Sequence, residues 1–155
     1  MKHHMHQYQV RGLALHEASR SPYLILEDLA EGDTITIRIG PSEAGTLLLT
    51  ITDSIPAVPQ PDDVLAELFE QHHFHPEYIT IQRLGSPQSY AVLHYRSALK
   101  HFQTSLQPAY GIALALRFDV PIYLSPEAII TGTINNPLHE YDRDSADQFL
   151  YIGRQ

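Results

Sequence analysis

Three carboxylates fall where helices should begin, and each is of a type that could do chemistry. Glu43 follows Pro41 by two positions, and Asp62 and Asp63 directly follow Pro61. Proline is favoured at the first helical position, so all three acids belong to first turns. A carboxylate there satisfies free backbone amides and complements the helix dipole, which gives each a structural reading beside any functional one. The histidines offer a second chemistry. His72, His73 and His75 gather at the expected end of the second helix, where imidazoles either ligate a metal or cap the last carbonyls, and no second ligand cluster accompanies them. His3, His4 and His6 belong to a terminus, residues 1–6, that reads as flexible, and His94 and His101 fall in expected strands. The chain has no cysteine, which removes disulfides, thiolate zinc sites and cysteine nucleophiles. It also lacks a phosphate-cradling glycine loop, a nucleophile elbow and an aromatic-basic RNA-binding pattern.

Composition narrows the partners. A net charge of −8 argues against general affinity for nucleic acid, which relies on lysine and arginine along phosphates, although a small basic patch can exist within an acidic whole. Arg11, Arg38, Arg83, Arg96 and Lys100 are scattered through expected strands. No apolar run approaches the roughly 18 residues of a membrane span. The opening Met1-Lys2-His3-His4-Met5-His6 lacks the apolar core of a signal peptide, so the expected compartment is the cytoplasm.

The elements that must position these side chains can be read from periodicity. Residues 7–16 form a strand in which Tyr8 and Val10 share one parity and Leu13 and Leu15 the other, so a β-bulge is expected at Gly12. A hairpin pairs 23–28 with 34–39, and a first helix runs from Pro41 to about Ile51. A second helix starts near Pro61 with Val64, Leu65, Leu68 and Phe69 as its buried face. Strands follow at 78–84, 90–95 and about 99–106. A third helix opens at Pro108 and stops before Asp119, and a short strand at 122–124 leads to a helical turn at Ser125-Pro126-Glu127-Ala128.

One phrase is stated twice. Gly40-Pro41-Ser42-Glu43-Ala44 and Gln107-Pro108-Ala109-Tyr110-Gly111 lie sixty-seven positions apart, and the same shift lays Tyr23 on Tyr90, Leu26 on Leu93 and Leu47 on Leu114. Ile35 and Ile39 then fall on Phe102 and Leu106, so inward parity is kept. This predicts an α+β fold of duplicated β-β-β-α units, forming a curled, mainly antiparallel sheet or barrel-like core with helices packed on it. The domain spans 7–130. Residues 131–155 form an acidic C-terminal tail whose apolar end, Phe149-Leu150-Tyr151-Ile152, either docks on the domain or a neighbouring subunit or stays disordered. Small domains with apolar tails of this kind often form homo-oligomers.

These residues resemble the bifunctional nuclease domain family. The resemblance rests on Val10-Arg11-Gly12-Leu13-Ala14-Leu15, on Ile39-Gly40-Pro41-Ser42-Glu43-Ala44, and on the run from Gly111 through Arg117 to Pro121-Ile122-Tyr123-Leu124. It implies a nuclease acting on DNA or RNA, with nucleic acid as partner. Phosphodiester hydrolysis needs an activated water and positive charge in the transition state. On this resemblance Glu43 and Asp63 are the candidate catalytic acids, bases or ligands for a divalent metal, whose identity stays open. The family's Arg-Pro-Ser-Asp-Ala is replaced here by Gln107-Pro108-Ala109-Tyr110-Gly111, and the arginine and histidine expected around Pro61 are missing. The alternative is therefore a catalytically degenerate protein that uses the same scaffold for binding or assembly.

Overall fold

Proline opens every helix among the described residues. The computed structural model describes residues 5–55, 58–83 and 88–124, and the backbone of 149–153. Helices α1 (Pro41–Ile51), α2 (Pro61–Gln71) and α3 (Pro108–Phe118) are each 11 residues long. Proline suits this position because its fixed φ is already helical and its missing N–H would have had no partner there. The residue two places further on decides what happens to the free amides. Glu43 and Asp63 each turn a carboxylate back to the amide of the residue before the proline, whereas α3 carries Tyr110 there.

The strands are β1 (His6–His16), β2 (Pro22–Asp28), β3 (Thr34–Arg38), β4 (His75–Gln82), β5 (Tyr90–Ser97), β6 (Lys100–Leu106), β7 (Ile122–Leu124) and β8 (Phe149–Gly153). They form one curled sheet in the order β3-β2-β1-β7-β4-β5-β6, with β8 against β1. Among the described residues only the β4–β7 pairing is parallel. The sheet ends in β3 and β6 and does not close, so the barrel-like alternative gives way to an open sheet.

The duplication expected from the sequence is visible in the topology. α1 and α3 occupy positions sixty-seven apart at both ends, and β1, β2 and β3 correspond to β4, β5 and β6. β7 lies between the units, antiparallel to β1 and parallel to β4. β1 and β4 therefore run in opposite directions, as a twofold relation requires. Both first strands carry a bulge, between Val10 and Gly12 and between Pro76 and Tyr78, one position out of step under the sixty-seven-residue shift. An extra residue in one strand bends it and strengthens its twist, which curls each half of the sheet toward its helix.

The core lies between this sheet and the helices. Leu26, Leu47, Ile79, Leu93 and Leu114 are wholly buried in it. α3 sits closest to the sheet. A Cβ built on Gly111 would lie 2.5 Å from the Ala91 Cβ, so the missing side chain is what allows α3 to approach β5.

α2 departs from expectation. Val64 and Leu68 are exposed, and the face that docks runs through Asp62, Leu65 and Phe69. Phe69 decides the rotation: its ring packs on Phe74, Tyr95 and Phe118 at centroid distances of 4.9–5.7 Å, and such aromatic contacts contribute beyond their buried area. The same rotation carries Asp62 inward. His75 is not at the helix end but opens β4, opposite Arg96. His72 caps α2 and His73 takes a left-handed conformation, so the three imidazoles divide between a helix end and a strand. The expected helical turn at 125–128 lies outside the described residues.

The apolar end of the tail joins the sheet. β8 pairs antiparallel with residues 12–16 of β1, while β7 occupies residues 6–8 on β1. Most of that edge of β1 is thus covered by two strands from later in the chain.

Candidate functional site

The C-terminal half of α1, the first turns of α2 and the end of α3 enclose a cleft of about 510 Å³. Leu49 and Thr50 line it from α1, Asp63 and Glu67 from α2, and Leu116 and Arg117 from α3, with Asp53 and Ser54 beyond the end of α1. Leu49 and Leu116 are equivalent residues of the two units, so the cleft sits where the units face one another. Among the described residues α2 has no counterpart in the repeat, and it brings its acids to one side of the cleft.

Asp63 is held twice. One carboxylate oxygen accepts the Gln60 amide at 2.7 Å, and the other accepts from the Arg117 guanidinium. Asp62 is different. Its side chain is 3% exposed, its Oδ2 lies 3.8 Å from Arg117 Nη2, and its Oδ1 has no hydrogen-bond partner among the described residues. A small cavity of about 10 Å³ adjoins it, lined by Thr46, Thr50, Gln60, Asp62, Asp63 and Arg117 among others. That is about the room for one water, in a polar setting that could hold it.

Burial raises the Asp62 pKa above the ordinary carboxylate value. Nearby backbone amides and Arg117 oppose the rise, and the charge on Asp63 adds to it. A buried carboxyl with a displaced pKa, one free oxygen and a guanidinium beside it makes this junction a candidate site. Chemically it can accept a proton from a water at Oδ1. Arg117, with its side chain 35% exposed, can reach an anion entering from the cleft.

Of the two acids singled out from sequence, Asp63 lines this cleft and Glu43 does not. Glu43 lies in the first turn of α1, where its carboxylate accepts the Gly40 amide at 3.4 Å. Tyr110 holds the equivalent place at the start of α3. The residues of α1 and α3 that line the cleft, Leu49, Thr50, Leu116 and Arg117, come from the C-terminal halves of both helices. The scattered basic residues do not gather here either. Arg11 pairs with Glu27, Arg96 with Glu77, and Arg83 donates to Gln88. Among the described residues no group of three or more His, Asp or Glu could hold a metal ion.

From sequence Asp62 is one first-turn acid among three and not a candidate catalytic residue, and Arg117 has no site role. Arg117 did leave a signal, as the one charged residue in an otherwise apolar α3. A lone arginine at the end of such a helix calls for an acidic partner, but that partner lies 54 positions away.

A second polar cluster ties β1 to β2. Asp28, itself buried, accepts the amides of Ala30 and Glu31 and contacts His6 Nδ1 at 2.9 Å. Burial opposes its ionisation, but these three donors outweigh it and its pKa falls below the ordinary value. Burial and the nearby Asp28 push the Tyr8 hydroxyl up to about 12. Both Asp28 oxygens are occupied, which marks this cluster as a structural latch.

A duplicated α+β domain with an acid- and arginine-lined cleft at the junction of its units is thus the class of protein in hand. The chain belongs to the bifunctional nuclease domain family, whose model matches residues 24–136. It is also similar to two uncharacterized proteins of Mycobacterium tuberculosis, from strains CDC 1551 / Oshkosh and ATCC 25618 / H37Rv. Each is 30% identical over 127 residues, covering 81% of this chain and 74% of the relative. No helix among the described residues is long and apolar enough to cross a membrane.

Proposed function

We propose that this protein hydrolyses phosphodiester bonds in nucleic acid where the cleft between its three helices meets the small cavity beside Asp62. The observation that carries the reading is Asp62: a buried carboxyl with a free oxygen beside a one-water cavity and next to Arg117. In this scheme a water at Oδ1 attacks phosphorus and gives its proton to the Asp62 carboxylate. Arg117 stabilises the charge that builds on the phosphoryl oxygens. The bond from phosphorus to the leaving oxygen breaks, that oxygen takes up a proton from solvent, and Asp62 returns its own proton to solvent. Asp63 positions Arg117 rather than reacting. Arg117 occupies one Asp63 oxygen and stands beside Asp62, so these residues form no cage for a divalent cation, and no step is assigned to a metal.

A second reading has its own observation. Tyr110 replaces an acid of the family pattern, and the other charged groups of the cleft, Asp53 and Glu67, repel phosphate. On that reading the protein is a binding or assembly module built on the nuclease scaffold.

One experiment separates the two. Highly purified protein is assayed on single-stranded RNA and on plasmid DNA, with and without divalent metal, beside Asp62→Asn, Arg117→Gln and Glu43→Gln. Loss of a general base lowers rates by about 10²–10⁴-fold. The catalytic reading expects losses of that order for Asp62→Asn and Arg117→Gln, with Glu43→Gln close to wild type. Folded wild-type protein without activity under any of these conditions supports the binding module. Activity lost only with Glu43→Gln would move the site to the start of α1.

A further inference from the structure

The last strand of the sheet is unfinished. β6 is paired on one side only, with β5, and its outer edge carries no strand among the described residues. Its outer backbone groups are thus open to pairing, and from Lys100 to Ser105 every residue is exposed. Edges of this kind are ordinarily protected by proline, a bulge, an inward-pointing charge or simple shortness. β6 has seven residues in regular register and a single charged side chain, Lys100, at its start.

The repeat makes the deficiency specific. β3 is the equivalent strand at the other end of the sheet, and there Ile35 and Ile37 are 3% and 8% exposed. Their counterparts one repeat later are Phe102, 43% exposed, and Thr104, also exposed. One unit covers this position, and the other leaves it bare. Moreover, the apolar core runs up to it. Phe118 stacks on Phe69, Phe69 packs on Tyr95, and Tyr95 stacks on Phe102 at 5.5 Å, where the row stops at the surface. Leu99, at the tip of the same hairpin, is 95% exposed.

We propose that β6 pairs antiparallel with β6 of a second copy of this chain, making a twofold homodimer with one continuous sheet. Antiparallel pairing of identical edges is self-complementary, as a closed dimer requires. Centred on Gln103, it sets Phe102 opposite Thr104, His101 opposite Ser105 and Lys100 opposite Leu106. No charge then faces its like, and the aromatic rows of the two copies continue into each other. The inference is independent of catalysis.

The register gives a test with its own control. Sedimentation velocity over a dilution series should show wild-type protein as a dimer that dissociates on dilution. Phe102→Lys/Thr104→Lys places lysines face to face across the junction and should be monomeric at every concentration. Phe102→Lys/Thr104→Glu places opposite charges there and should restore the dimer. Both variants change exposed residues, and circular dichroism with a thermal melt verifies that each is folded. Exchange of those amides of residues 101–105 that point away from β5 should slow as the wild-type concentration rises. A wild-type monomer throughout, a dimer indifferent to the lysines, or β6 amides protected equally at all dilutions would overturn the proposal. The last result would mean that the edge is covered from within the chain.

Discussion

Asp62 and Asp63 are neighbours in sequence with the same charge and the same place in a first turn, yet their surroundings separate them. Asp63 caps the Gln60 amide and binds Arg117, whereas Asp62 is carried into the helix junction and keeps an oxygen free. No local signal distinguishes them, because the difference is made by the rotation of α2, and that rotation is set by Phe69. From sequence both carry the same first-turn reading, and only the resemblance singles out Asp63 as a candidate. The contrast leads to a pH prediction. The folded pKa of Asp62 is raised above its unfolded value of about 3.9, so ionising it costs more in the folded state. Stability from this group is full below the unfolded pKa and is lost as pH rises through the folded pKa. Asp62→Asn keeps the shape and removes the charge. It should melt higher than wild type at neutral pH, with the two curves converging near pH 4, while losing the activity proposed above. A melting point below wild type at pH 7 would show that the carboxylate is well accommodated and would remove the basis for its displaced pKa. A gain in stability paired with a loss of function is the usual signature of a strained functional residue.

At the scale of elements, much was legible because prolines, alternation and a glycine phase slip are local signals. All three helix starts, the bulge at Gly12 and the β2–β3 hairpin follow from spacing alone, and the repeat added their arrangement. The docking face of α2 was not legible, since its apolar residues make two overlapping stripes and only tertiary contacts choose between them. The close approach of α3 to β5 was hidden for a similar reason. Gly111 reads as a weakness in a helix, costing about 1 kcal/mol relative to alanine. In place, a Cβ would sit 2.5 Å from that of Ala91, far inside van der Waals contact, with Ile79 also nearby. Overpacking of this kind costs about 1–3 kcal/mol, so it outweighs the gain in helix propensity. Gly111→Ala should therefore lower the denaturation midpoint, whereas adding Ala91→Gly to it should recover part of the loss. If Gly111→Ala proved more stable than wild type, helix α3 would have to be free to move off the sheet.

For the whole molecule, the two units share one sheet, but the chain completes them unequally. β1 receives β7 along residues 6–8 and β8 along residues 12–16, so the end of the chain closes an edge in the middle of the sheet. Among the described residues the outer edge of β6 receives no such cover, and this asymmetry is what the dimer proposal resolves. The role of β8 can be tested directly. Removing residues 149–155 strips the backbone partners from Gly12 to His16 without touching the cleft or β6. A net backbone hydrogen bond contributes about 1 kcal/mol, and fixing each residue costs about as much or somewhat more in entropy. Pairing alone therefore leaves global stability nearly unchanged, and the effect should be local. The truncated chain should melt close to wild type, but those amides of residues 12–16 that point toward β8 should exchange at rates approaching those of exposed strand edges. Amides of β1 that point toward β2 should keep their protection and serve as the internal control. Protection lost along both edges together would mean that β8 holds the whole strand in place, and that the first unit does not stand without the end of the chain.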